Sequence, residues 1–174
     1  MKEEHFTRLK EGFFTAQELA AWFPFFASTS KMLTRLDSEV KRSNGLSLLD
    51  FHLMLHLASD SDHRARMSDL AEVTGSDPST ITYRITRLEK HGWVERDRVD
   101  EDRRGVFARV TDTGIEKVAA ATINHVATVR REFLSKYTPE QLEQIDALFG
   151  ILATSLGLPP HPHGELVDEL EAKL

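Results

Sequence analysis

The run Asp77-Pro-Ser-Thr-Ile81-Thr-Tyr-Arg-Ile85-Thr-Arg-Leu88-Glu-Lys-His-Gly92 constrains the fold more than any other stretch of the chain. Asp is a strong N-cap, and Pro suits the first helical position because its fixed φ is already helical. Gly92 supplies the C′ residue that stops the helix. Between them Ile81, Ile85 and Leu88 recur at i, i+4 and i+7, which makes one buried stripe. Off that stripe stand Ser79, Thr80, Thr82, Tyr83, Arg84, Thr86 and Arg87, all hydroxyl-bearing or basic. Such a helix packs on one side and offers hydrogen-bonding groups on the other.

Its neighbours define a motif. Arg66 to Val73 reads as a short helix, with Thr74-Gly75-Ser76 as the turn. Trp93 to Arg96 and Val106 to Val110 read as two strands. Between them lie five consecutive charged residues, Asp100 to Arg104, and then Gly105. The order is helix, turn, helix and charged hairpin: a winged helix-turn-helix. A helix fits the major groove of B-DNA, where short hydroxyls and Arg reach base edges and phosphates. Its N-terminus brings unpaired amides to a phosphate. The hairpin can push one cation, Arg104, into the minor groove, with Asp102 holding the guanidinium in its fork. Arg103 belongs to the same tip, and Gly105 permits its turn.

The rest of the chain is helical. Thr15-Ala-Gln-Glu18 has the form of a capping box, so a first helix starts near Ala16 and runs to about Lys41. Pro24 is expected to kink or restart it, and Ser43-Asn44-Gly45 to end it. Leu46 to Leu57 reads as a second helix. A fifth spans about Thr113 to Ser135, and a sixth follows the capping box Thr138-Pro-Glu-Gln141. The fold class is therefore mainly α with a small β-hairpin wing. Residues 46–111 form the DNA-binding lobe, and residues 1–45 and 112–174 a flanking helical region.

Charge and cysteine content narrow the function. The 174 residues contain no cysteine, which excludes disulfides and thiolate metal sites. The formal net charge is −6, but the sign varies along the chain: residues 1–63 carry −2, 64–109 carry +1 and 110–174 carry −5. Residues 79–109 alone carry +2, a weak basic footprint. No apolar window is long enough to cross a membrane, and the N-terminus lacks the apolar core of a signal peptide, so a cytoplasmic location is expected. His52 and His56 sit at i, i+4, a spacing that can hold a metal. A third ligand could come from His125, His161 or His163, but no Asp or Glu at matching spacing completes the set, and no metal is expected. The aromatic run Trp22 to Phe26 reads chiefly as interface packing.

The segment Asp102-Arg-Arg104-Gly-Val-Phe-Ala-Arg-Val110-Thr111-Asp-Thr-Gly114 resembles the wing signature of the MarR (multiple antibiotic resistance regulator) family. That signature is D-x-R, a short apolar strand, then L-T-x-x-G opening the next helix; Val110 stands where Leu is usual. Arg87-Leu88-Glu89-Lys-His-Gly92-Trp-Val94-Glu-Arg96 resembles the family's R-L-E-x-x-G-h-h-x-R, where h is apolar. Gly45-Leu46-Ser47-Leu48 with Phe51 resembles its second-helix opening. His125 to Arg131 is similar to a segment of an actinobacterial branch. The match spans roughly residues 17–156. The resemblance implies a homodimer whose first, fifth and sixth helices interlock, making residues 1–45 and 112–174 a helical dimerisation region, with two winged lobes reading successive major grooves of a pseudopalindromic operator on double-stranded DNA. It implies no cofactor, but a crevice, with His52, His56 and Trp22 as candidates for its lining, where a small phenolic or other anionic effector releases DNA. Carried over by position, Arg104 is the minor-groove residue and Asp102 its support. Ser79, Thr82, Tyr83 and Arg87 sit where the recognition helix touches DNA.

Two other functions compete. A winged helix can bind a partner protein and no DNA, which the negative net charge favours. An enzyme is disfavoured, since there is no P-loop, no dinucleotide-binding glycine pattern and no cue for a catalytic triad.

Overall fold

A computed structural model describes residues 13–97 and 106–158. The chain divides into two compact units, residues 1–35 and 36–174, and the division falls inside the first helix. That helix, α1 (Ala16–Asn44), runs through Pro24 as one element and does not restart there. Its start is capped as the sequence requires: the Thr15 amide donates to Glu18 Oε2 at 2.7 Å and the Glu18 amide to Thr15 Oγ1 at 3.2 Å. Within the first unit the ring of Trp22 packs against Phe26 at 5.6 Å and Phe25 at 5.7 Å. Trp22, Phe23 and Phe26 nevertheless remain exposed.

The second unit holds the core. It contains the end of α1, then α2 (Leu48–Ser59), β1 (Arg64–Arg66), α3 (Met67–Thr74), α4 (Pro78–Lys90), β2 (Val94–Asp97), β3 (Phe107–Val110), α5 (Asp112–Glu132) and α6 (Pro139–Ser155). Phe51, Leu53, Met54 and Leu57 of α2 are fully buried and meet Leu70 of α3, the Ile81-Ile85-Leu88 stripe of α4, and Val118 and Ala121 of α5. Helix α2 starts two residues later than its leucines suggest. Ser47 is the N-cap and closes a capping box with Asp50.

The sheet has three strands, not the two of a bare hairpin, in the order β1-β3-β2. Both pairings are antiparallel, with Arg64 opposite Arg109, Arg66 opposite Phe107, and Val94 opposite Val110. Strand β1 is Arg-Ala-Arg, so only Ala65 turns inward, and no apolar alternation marks it in the sequence. Helix α5 ends at Glu132, short of Ser135, and a 3-10 turn over Leu134–Lys136 leads to α6. The second capping box is present: the Thr138 amide donates to Gln141 Oε1 at 2.9 Å and the Gln141 amide to Thr138 Oγ1 at 3.3 Å. No residue of α6 is buried in the single chain.

The Thr-Asp-Thr-Gly segment welds α5 to the turn after α4. The hydroxyls of Thr111 and Thr113 both donate to the Gly92 carbonyl, at 2.7 and 3.0 Å. The Thr111 amide donates to the Trp93 carbonyl at 3.1 Å, and Thr111 Oγ1 accepts from the Gly114 amide at 3.1 Å. Gly92 takes a left-handed φ of +72°. Gly114 is required by close approach: a Cβ there would lie 2.0 Å from the Trp93 carbonyl oxygen and 2.7 Å from Val110 Cγ2. Lys117 Nζ completes the joint, 5.1 Å from the centre of the Trp93 ring. Gly114→Ala should therefore lower stability by about 2 kcal/mol or more, as overpacking does. Urea unfolding at unchanged m-value measures it.

Candidate nucleic-acid interface

Helix α4 shows three sides. Its buried stripe faces the core. One flank carries Arg84 and Arg87, and both turn onto Asp50, whose side chain is fully buried. Arg84 Nη1 lies 2.9 Å from Ser47 Oγ and 3.4 Å from both carboxylate oxygens of Asp50. Arg87 Nη2 donates to Asp50 Oδ2. The opposite flank is held by Arg96 of β2. Its guanidinium pairs with Glu89 at 2.6 Å and donates to Thr86 Oγ1 at 2.7 Å and the Thr82 carbonyl at 3.1 Å. The helix is clamped from both sides, by an anion on α2 and a cation on β2.

What remains faces outward. Ser79, Tyr83 and Lys90 follow one line on the exposed side, with Thr82 beside it and Thr80 half-buried. Tyr83 is 65% exposed, which is high for a ring on a short helix. The hydroxyl of Thr82 donates back to the Pro78 carbonyl at 2.9 Å, leaving its lone pairs outward. Asp77 sits at the N-cap position, yet its side chain makes no cap hydrogen bond. Lys90 was not singled out from the sequence. Its distance from the hydroxyl cluster hid it, although i+7 from Tyr83 is the same face of a helix.

The sequence assigned Arg84 and Arg87 to DNA together with Ser79, Thr80, Thr82 and Tyr83. In the structure both guanidinium groups contact Asp50. The R-L-E…R pattern then has a physical meaning within the fold: Arg87 to Asp50, Leu88 to the core, Glu89 to Arg96. The signal that could have revealed the partner is Ser47-x-x-Asp50, a capping-box spacing. The wing tip, with Asp102, Arg103 and Arg104, lies outside the described residues.

Of the crevice candidates, Trp22 belongs to the first unit and His52 and His56 to the second. His52 and His56 lie on the exposed side of α2, and the His52 ring meets His125 of α5 edge-on, with centroids 6.1 Å apart. Phe51 packs against His125 at 4.8 Å. Among the described residues no group of three or more His, Asp or Glu side chains is arranged to hold a metal. His161 and His163 lie outside the described residues. His125 Nδ1 is buried and has no hydrogen-bond partner among the described residues. Burial pushes the His125 pKa down, and the neighbouring His52 lowers it further. The packed edge of the His52 ring is desolvated too, which lowers its pKa although the residue's outer edge is exposed. Both rings favour the neutral form when folded, and the unfolded chain takes up protons at higher pH. Their contribution to stability is thus present above about pH 6.5 and is lost as pH falls below it. The melting temperature should drop between about pH 7 and 5.5, and His125→Gln should flatten that drop.

A short helix, a tight turn, an outward-facing second helix and an antiparallel sheet define a winged helix-turn-helix. The MarR family model matches residues 46–106. AbsC, a MarR family transcriptional regulator from Streptomyces coelicolor, is 32% identical; the likeness covers 83% of this chain and 97% of that one, with a TM-score of 0.78. Sco3205, a MarR family regulator of the same organism solved in complex with DNA, is 31% identical, with 86% and 97% covered and a TM-score of 0.79. The regulator PecS of Dickeya dadantii is 36% identical over 72 residues, 41% of this chain and 43% of PecS, so the chain matches less than half of that relative's length. All three are named as transcriptional regulators, not as enzymes. The chain belongs to the MarR family. No helix among the described residues is long and apolar enough to cross a membrane.

Proposed function

We infer that this chain is a cytoplasmic, homodimeric regulator that binds double-stranded DNA at a pseudopalindromic operator and represses transcription until a small effector releases it. The observation that carries this reading is the outward line of Ser79, Tyr83 and Lys90 on a helix clamped from both flanks. Hydroxyls and an amine on a rigid helix are what major-groove and phosphate contacts need. The solved DNA complex of Sco3205, similar along nearly its whole length, supports it. In this reading Ser79, Thr80, Thr82 and Tyr83 meet the major groove, and Arg104, oriented by Asp102 and accompanied by Arg103, enters the minor groove.

Dimerisation is supported by apolar surface exposed among the described residues. Helix α6 exposes Leu148, Ile151 and Leu152, and α5 exposes Ile123 and Val126. An exposed apolar face of this extent calls for a partner surface, and a second copy is the one the family resemblance implies. A phenolic or other anionic effector taken up beside His52 and His56 would favour a dimer whose recognition helices no longer match one turn of DNA, about 34 Å. Its differential affinity for the two states is the energy for that shift.

A protein-binding winged helix is the second reading, favoured by the net charge of −6. Fluorescence anisotropy on duplexes from upstream of the coding sequence and from a genomic fragment pool, titrated with salt, separates the two. Phosphate contacts release counterions, so affinity for DNA must fall steeply with salt. Selective, salt-sensitive binding supports the regulator, and no selective duplex in the pool moves the reading to the protein-binding module. Tyr83→Ala and Arg104→Ala should each weaken operator binding by about 1–3 kcal/mol and leave the dimer intact. Ile151→Glu should instead shift the protein to monomer in analytical ultracentrifugation.

A further inference from the structure

We propose that Asp50 is a positioning residue for the recognition helix, and that Arg84 and Arg87 serve as its struts and do not neutralise phosphates. This rests on the DNA-binding reading above and deepens it. Asp50 has no exposed side-chain surface, while Arg84 and Arg87 keep 25% and 38% of theirs. A buried carboxylate stripped of its cations is left with an uncompensated charge, so swinging either arginine out to a phosphate carries that penalty. The site is also fully wired. Ser47 Oγ donates to Asp50 Oδ2 at 2.5 Å while accepting from the Asp50 amide at 3.2 Å and from Arg84 at 2.9 Å. One residue on, the Leu48 amide donates to Asp37 Oδ1 of α1 at 2.9 Å. The path thus runs from α1 through the first turn of α2 to Arg84 and Arg87 of α4, three residues apart and fixed to the same backbone as Ser79 and Tyr83. Rotation of α4 about its own axis would have to break it.

The two roles of the arginines predict opposite signs for Asp50→Asn. The substitution removes a negative charge and frees two cations close to the helix proposed to meet DNA. If the arginines serve phosphates, affinity rises and the salt dependence steepens. If Asp50 holds the helix in register, binding to the operator weakens about tenfold, affinity for a scrambled duplex does not fall, and the salt slope stays at the wild-type value. The operator is the duplex that wild-type protein selects from genomic fragments. Arg87→Met gives the second arm should Asp50→Asn fail to fold. It should weaken operator binding at unchanged slope, and a slope reduced by about one would show a lost phosphate contact and overturn the proposal. Hydrogen exchange of the free protein reads the strut without DNA. Either variant should lose protection over residues 78–90 while α5 keeps its own, and equal protection in α4 would overturn the proposal. If wild-type protein selects no duplex, the DNA-binding reading fails, and the exchange experiment alone still decides whether Asp50 positions α4.

Discussion

A carboxylate with no access to water must be met by cations and donors, and much of the lobe is arranged around meeting Asp50. The residue closes the N-terminal box of α2, so its backbone position is set by local helix geometry. Two arginines one turn apart on α4 then converge on it. Apolar packing alone would let a helix with a three-residue stripe roll on the core, because methyl groups impose little direction. The ionic contact on one flank and the Arg96 contacts on the other remove that freedom. Packing supplies the adhesion of α4, and the charged flanks supply its orientation.

The second fixed point is the joint of α5 with the α4–β2 turn. Three hydrogen bonds converge on the carbonyls of Gly92 and Trp93, and Gly114 lets the backbones approach. The end of α4 is thereby tied to the start of α5. With Asp37 bonding the first amide of α2, α4 is linked by polar contacts both towards α1 and towards α5. A tilt of α5 has a direct route to the helix that carries Ser79 and Tyr83, which is the mechanical element that effector release would need.

What the sequence reveals here follows from where the physics is local. Caps, breakers and stripes are decided within one turn, so Thr15-x-x-Glu18, Asp77-Pro78, Thr138-x-x-Gln141 and Ile81-Ile85-Leu88 locate their helices. Strand β1 is hidden because its existence depends on pairing with β3, more than forty residues later in the chain. Three residues with two arginines carry no period of their own. The fate of Arg84 and Arg87 is hidden for the same reason. An arginine on a polar helix face reads alike whether it waits for a phosphate or has met a buried carboxylate thirty-odd residues away. Pro24 shows the reverse case, a strong local signal that the helix absorbs without ending.

Strand β1 has a consequence for how copies of this protein tolerate crowding. It lies at one border of the sheet, where unpaired amides and carbonyls could template another strand. Only three residues long, it offers little to copy. The guanidinium groups of Arg64 and Arg66 stand 5.4 and 5.0 Å from the centre of the Phe107 ring, so that aromatic is roofed by two arginines. An approaching strand of the same kind would meet its own arginines. The border of the sheet is thus short and capped by bulky guanidinium groups, one of them paired with Asp62, and it offers a neighbouring strand little backbone to join.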